Sequence, residues 1–342
     1  MPVVVLVVGS INIDDIVRVS HVVRRGETIA SQSHVVLAGG KGANQAVAVA
    51  RALDLDDRED LGEEDVQVVM AGKVGPDGQW VLDKLQGLGV HNTLSVVDPQ
   101  QLTGRAWIQV DDSGDNAIVL RPGANHAFTQ GDLERIFGST ANAGDIILVL
   151  QNEMNGLDRV VEMGLAHGHK VVLNAAPFSP SIASLPLERL NTLFVNEIEG
   201  RALAQLLLLQ QRQDKGTTTT ITTEDQAMAT LAAALPNVQI VMTLGEHGVL
   251  GYDPSAKTAV RVAAAPVTTE VSLLLPCVKK VKTCIIRSSR RQGRATRSRA
   301  SLWPPDWSDR IRSSSPYESQ QRQPHCASNG VAQWTRSPRA GT

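Results

Sequence analysis

Cysteine is missing from most of this chain. Of 342 residues three are cysteine, and all three (Cys277, Cys284, Cys326) lie beyond residue 275. That excludes a disulfide framework for the body of the protein. Long apolar runs are missing too. The Val3–Val8 stretch has six residues, too few for a membrane span or a signal-peptide core, and no basic segment precedes it. A soluble, cytoplasmic protein with no membrane partner is expected. No repeat of solenoid length occurs, and the G-x-x-x-x-G-K-[ST] spacing of a Walker loop is absent. Glycine disappears between Gly251 and Gly293.

Basic charge is short in one part and in excess in the other. Residues 1–275 hold 19 Lys+Arg against 32 Asp+Glu, a net of −13. Residues 276–342 hold 14 against 3, a net of +11, so the overall −2 conceals two unlike segments. With 42% hydrophobic residues and a mean hydropathy of −0.09, the chain can bury one large α/β core or two smaller ones.

What is present begins with Leu37-Ala38-Gly39-Gly40-Lys41-Gly42-Ala43-Asn44-Gln45-Ala46. Three glycines allow a sharp turn and a close approach of backbone to ligand. The Ala/Val run from Ala46 to Ala52 reads as helix. A helix starting there points unpaired N–H groups and a partial positive charge outward. Lys41 and Asn44 add side-chain donors, a combination suited to hydroxyl-rich or anionic small molecules. A plain tight turn before a helix is the alternative.

Val3 to Val8 reads as a strand buried on both faces, as in a parallel sheet. Asn12 and Asp14 follow just past its carboxyl end, where open α/β sheets bind ligands; capping of a local turn explains the pair equally well. Val66 to Ala71 reads as the next strand, and from Asp145 to Tyr252 strand and helix alternate regularly, which implies a doubly wound, mostly parallel sheet flanked by helices. Candidate strands at about 16–37 and 103–120, the second a hairpin around Asp111-Asp112-Ser113-Gly114-Asp115, imply a small β lid. Acid-rich Asp54–Asp65 and Gln/Thr-rich Gln210–Thr223 read as loops. Further polar clusters sit just past strands: Gln151-Asn152-Glu153, Asn196-Glu197-Ile198-Glu199 and Thr243-Leu244-Gly245-Glu246-His247-Gly248. Asn196 and Glu199 also have capping-box spacing.

Taken in order, these segments resemble the ribokinase-type sugar kinases of the PfkB family. Gly9-Ser10-Ile11-Asn12-Ile13-Asp14 and Gly39-Gly40-Lys41-Gly42-Ala43-Asn44-Gln45-Ala46 look like its N-terminal substrate motifs, with the Gln-Ala ending closest to ribokinase. Thr103-Gly104 with Gly114 and Asn116 looks like the lid hairpin, and Gly123-Ala124-Asn125 like the exit from it. Asn196 to Glu199 matches N-x-x-E, and Thr243-Leu244-Gly245 with Gly248 matches T-L-G-x-x-G. The resemblance covers residues 3–265. It implies transfer of the ATP γ-phosphate to the 5-hydroxyl of D-ribose, giving ribose 5-phosphate. Asn12, Asp14, Gly40, Lys41, Asn44 and Glu153 would hold the sugar. Asn196, Thr243, Gly245 and Gly248 would line ATP, and Glu199 would organise Mg2+. A monovalent cation, K+, is implied as well, with its site lost here, and a homodimer through the lid. Another PfkB-type kinase acting on a different sugar or nucleoside is the alternative.

The resemblance stops where the family's D-T-x-G-A-G-D motif, which carries the aspartate base, should follow. Thr268-Thr269-Glu270-Val271-Ser272-Leu273-Leu274-Leu275-Pro276 stands there instead, so no catalytic base is assigned. Residues 1–265 form the expected kinase domain, incomplete at its C-terminal side, and 266–342 a basic Arg/Ser-rich tail. A reading-frame shift or mis-spliced exon near residue 270 accounts for charge, cysteine and tryptophan changing together. A genuine tail on a sugar- or nucleotide-binding protein without catalysis is a second reading, and an RNA-binding tail a third. Arg/Ser segments are as often merely solvated, so a nucleic-acid partner is not expected.

Overall fold

The elements run, in chain order, β1 (Val3–Val8), β2 (Asn12–Arg18), β3 (Ser33–Gly39), α1 (Lys41–Asp54), β4 (Val66–Ala71), β5 (Lys73–Val74), α2 (Gln79–Gln86), β6 (Val96–Val97), β7 (Gly104–Val110), β8 (Asn116–Arg121), α3 (Gln130–Gly138), β9 (Ile146–Gln151), α4 (Leu157–Ala166), β10 (Lys170–Asn174), β11 (Thr192–Asn196), α5 (Glu197–Gln211), α6 (Glu224–Ala234), β12 (Gln239–Thr243), β13 (Val249–Asp253) and β14 (Thr258–Val262). The computed structural model describes residues 3–54, 66–140, 144–211 and 220–265. All belong to the first of the chain's two units, Met1–Arg291. Of the loops expected over Asp54–Asp65 and Gln210–Thr223, residues 55–65 and 212–219 lie outside the described residues, as does the tail after 265; Asp54 instead ends α1, and Gln210 and Gln211 end α5.

Eight strands form one sheet in the order β14-β13-β12-β11-β10-β9-β1-β4. From β12 to β4 all neighbours are parallel; β13 and β14 are antiparallel additions at one edge. Alternation along β1 shows why this layer is the centre of the first unit. Leu6 and Val8 face one core with α3, α4, α5 and α6, and Val5 and Val7 face another with α1 and α2. Both faces are covered, so the strand reads as a continuous apolar run.

A second sheet, β3-β2-β7-β8, is the expected lid. β2 pairs parallel with β7, and β3 and β8 flank them antiparallel. Its first strand begins at Asn12 rather than near residue 16. Asn12 and Asp14 therefore lie on a lid strand, not in a loop past β1: the chain re-enters β structure after Ser10 and Ile11. Helix α1 likewise starts at Lys41, ahead of the Ala/Val run, because Gly40 makes the turn with φ 93°. Strand β14, exposed along its length, escaped the sequence reading because no buried position marks it.

The parallel register sends the strand exits to one edge. Val8 lies beside Leu150 and Ala71, Asn174 beside Gln151, and Asn196 beside Thr243. At that edge β1 and α1 touch backbone to backbone. A Cβ on Gly42 would stand 2.8 Å from Gly9 C and 2.8 Å from Ser10 N. Gly42→Ala is expected to cost about 2 kcal/mol or more, a fall of roughly 4–8 °C in Tm. Gly138→Ala, where an added Cβ meets nothing within 4 Å, should leave Tm unchanged or raised. Thermal unfolding of both variants checks the contrast, and equal effects would refute it.

Candidate active site

Ser10 organises the corner where β1, α1 and β9 meet. It is fully buried. Its Oγ donates to Glu153 Oε2 at 2.7 Å and accepts from Lys41 N at 2.9 Å, with Gly42 N further off at 3.4 Å. Its carbonyl accepts from Ala43 N at 3.0 Å. The leading N–H groups of α1 are therefore taken by Ser10. This corrects the expectation that they point outward to a ligand: the turn at Gly40 folds the helix start back onto the β1 exit. Side chains supply the polar groups of the corner instead.

Glu153 is 8% exposed, two residues past the end of β9. Its other oxygen, Oε1, accepts from Lys41 Nζ in a close ion pair. A buried carboxylate needs such partners, since an uncompensated buried charge costs about 3–5 kcal/mol. Asp14 completes the acidic pair. A Cβ on Gly39 would stand 2.0 Å from Asp14 Oδ2, so the glycine makes room for this carboxylate. Burial pushes Asp14 up to about 6; the negative charge of Glu153 adds to the rise, Lys41 opposes it and Asp15 adds to it. Asn12 is 4% exposed and shares the Asp14 face of β2. Its Oδ1 accepts from Asn125 Nδ2 at 2.7 Å. Gly40 forms the turn beside it, and a Cβ there would stand 2.7 Å from Asn12 N. Asn44 lies half-buried in the first turn of α1.

The remaining candidates line up along the same edge. Strands sit about 4.8 Å apart, which puts the exit of β11 about 10 Å from that of β9. Asn196 and Glu199 realise the capping box: Asn196 N donates to Glu199 Oε2 and Glu199 N to Asn196 Oδ1, both at 2.8 Å. Their local role is thus real, and it holds a carboxylate, 8% exposed, at the start of α5. Thr243 ends β12 and is buried. Gly245 has φ 56° and nothing within 4 Å of an added Cβ; Gly248 has φ 90°, and a Cβ there would stand 2.0 Å from Val262 O. Gly248 serves the turn into β13, and Gly245 leaves backbone open.

Sequence reading overlooked Ser10 as a separate participant, and Gln151. Gln151 donates from Nε2 to Gln45 Oε1 at 2.7 Å, and its buried Oε1 has no partner among the described residues. Both stand inside quoted motifs, but hydroxyl and amide side chains carry no spacing signal of their own. A groove of about 460 Å3 lies elsewhere, on the lid, lined by Asp15, Val17, Ser31, His34, Trp107, Ile108 and Gln109. Asp15 there is committed to His34 at 3.0 Å and Arg105 at 3.2 Å.

The model of the pfkB family carbohydrate kinases matches residues 4–273. The chain belongs to this family. It is 31% identical to the ribokinase of Haemophilus influenzae over 199 residues, 58% of this chain and 61% of that enzyme. Staphylococcus aureus ribokinase is 26% identical over 247 residues, 71% of this chain and 73% of that one. The chain thus spans less than two thirds of the H. influenzae enzyme. Among solved structures, the ribokinase of Cryptococcus neoformans var. grubii in complex with ADP is 31% identical with a TM-score of 0.61, over 79% of this chain and 81% of that. Arabidopsis thaliana ribokinase complexed with ribose and ATP is 26% identical with a TM-score of 0.57, over 78% and 79%. The fold is the ribokinase-like α/β fold that the sequence motifs imply.

Asp14 gives this site a pH signature. Its folded-state value, about 6, lies above the ordinary 3.8, so the native state binds the extra proton and stability falls as pH rises from about 4 to 6. Above pH 6 the full cost is present. Asp14→Asn removes it. The variant should be more stable than the parent at pH 7.5 by about 1–2 kcal/mol and no more stable at pH 4. Denaturant unfolding at the two values decides this; an advantage that grows on acidification would contradict the assignment.

Proposed function

We propose that the chain is a ribokinase-type sugar kinase whose substrate is D-ribose and whose phosphoryl donor is ATP. The observation that carries this reading is the meeting of Asp14, Lys41 and Glu153, from three separate segments, at one sheet-edge corner. Two carboxylates and an ammonium can bind several adjacent hydroxyls at once, since each ionised oxygen accepts and each N–H donates. Asn12, Gly40 and Asn44 complete the sugar side. Asn196, Thr243, Gly245 and Gly248 form the nucleotide side, about 10–14 Å further along the edge. Glu199 would hold Mg2+, since magnesium needs few protein carboxylates. The metal would supply charge stabilisation for phosphoryl transfer, in which the chain's own part is mainly positioning. The product is ribose 5-phosphate. The protein works in the cytoplasm, and no described helix is long and apolar enough to cross a membrane. K+, which the family resemblance implies, has no assigned site.

The domain spans residues 1–265, and the lid sheet pairs two copies. Exposed Val35, Ile118 and Leu120 on one lid face and Val36, Trp107 and Val119 on the other support a partner there. Light scattering should return twice the 36.6 kDa chain mass; a monomer removes this part of the reading.

No aspartate occurs between Asp253 and Asp306, where the base that takes the hydroxyl proton is expected. That favours a second reading, a protein that binds sugar and nucleotide without efficient turnover. General-base catalysis contributes about 10²–10⁴-fold, so ADP release with ribose should lie below that of a complete ribokinase by that order, while binding persists. Calorimetry of the full chain with ribose at pH 7.5 should give saturable heat, weakened at least tenfold in Asp14→Ala, about 1.4 kcal/mol. Affinity should fall as pH drops below 6, because Asp14 must lose its proton to accept from two hydroxyls. Absence of ribose binding in the parent would overturn the reading.

A further inference from the structure

Asn125 is 2% exposed and sits in the tight turn Gly123–His126 that closes the lid hairpin. Its amide spans the β1–β2 corner. Oδ1 accepts from Ile11 N at 2.9 Å; Nδ2 donates to Ile11 O at 3.2 Å and to Asn12 Oδ1 at 2.7 Å. The two bonds to Ile11 set the sense of this amide, because a backbone N–H only donates and a carbonyl only accepts. Oxygen and nitrogen of Asn125 therefore cannot be exchanged. The third bond hands the constraint on. A donor faces Asn12, so the atom Asn12 presents to it must be Oδ1, and its NH2 group is turned the other way. No described residue accepts from that NH2. Gly104 provides the space: a Cβ there would stand 2.2 Å from Asn125 Nδ2 and 2.3 Å from Asn12 Oδ1. Gly104 is also the register partner of Asn12.

We infer that Asn125 is a positioning residue that locks the Asn12 carboxamide with its NH2 group toward the sugar site. Asn12 is thereby an obligatory donor to a ligand oxygen, on the same face of β2 as the acceptor Asp14. The site then presents one donor and one acceptor in fixed order, which selects a ligand whose neighbouring hydroxyls accept and donate in turn. Asn125 touches no ligand itself. The inference rests on the sugar-site reading for what Asn12 contacts, but not for the lock itself.

A double-mutant cycle tests it. Ribose affinity and Tm are measured for the full chain and for Asn125→Ala, Asn12→Ala and the double variant. Asn125→Ala should weaken ribose binding about tenfold. In the Asn12→Ala background the same change should weaken it less than about twofold, while its loss of Tm persists. A purely structural role would leave the loss of affinity equal in both backgrounds, and that result overturns the inference. Asn125→Asp is the second variant. It keeps an acceptor for Ile11 N but faces Asn12 with oxygen, so Asn12 turns over and affinity should fall at least as far. A ligand-free readout separates the two readings. Nitrogen-15 relaxation of the Asn12 side-chain NH2 should show an ordered group in the parent and a mobile one in Asn125→Ala. Equal order in both refutes the lock. The expected change with no ribose binding in the parent refutes the sugar site and leaves the lock standing.

Discussion

A carboxylate held out of water at the end of β9 is the constraint on which the rest of this structure turns. Glu153 is usable there because Ser10 and Lys41 both reach it. That requirement brings the β1 exit and the start of α1 together, and Gly9, Gly40 and Gly42 permit the approach. Asp14 then sits close enough to feel Glu153, and burial with this neighbour sets its proton affinity. One corner thus combines two carboxylates, of which Asp14 is held above its ordinary proton affinity, with a single ammonium.

The parallel sheet carries further polar segments to the same edge as this corner. Since β9, β10, β11 and β12 run side by side in register, whatever follows each strand is delivered to the same edge at strand-width intervals. The cap of α5 and the Gly245–Gly248 turn arrive there without direct contact with Glu153. Rigid strands fix the separation of the two halves, while the lid sheet carries Asn12 and Asp14 on the first of its strands. The same strand therefore belongs both to the lid sheet and to the corner built around Glu153.

Much of this was legible in the sequence. Val3–Val8, Val66–Ala71 and Lys170–Asn174 announce themselves as apolar runs, because strands covered on both faces tolerate little else. The polar segments after them could be placed on one edge from strand–helix alternation alone. Contacts made by short side chains were not legible. That Ser10 would occupy the first N–H groups of α1 depends on the φ of Gly40, and that Asn12 starts a lid strand depends on a pairing with Gly39 and Gly104 across distant segments. β14 left no signal because its residues are exposed throughout. The Asn196–Glu199 spacing was legible as a cap and is one.

Whether a sugar is held at the Asp14–Lys41–Glu153 corner is tested most directly by a crystal structure of the full chain grown with saturating D-ribose. It should show the sugar at this corner, with hydroxyls about 3 Å from the Asp14 carboxylate and from the Asn12 NH2 group. Ribose ordered only in the groove beside Trp107, or no sugar at the corner, would contradict it.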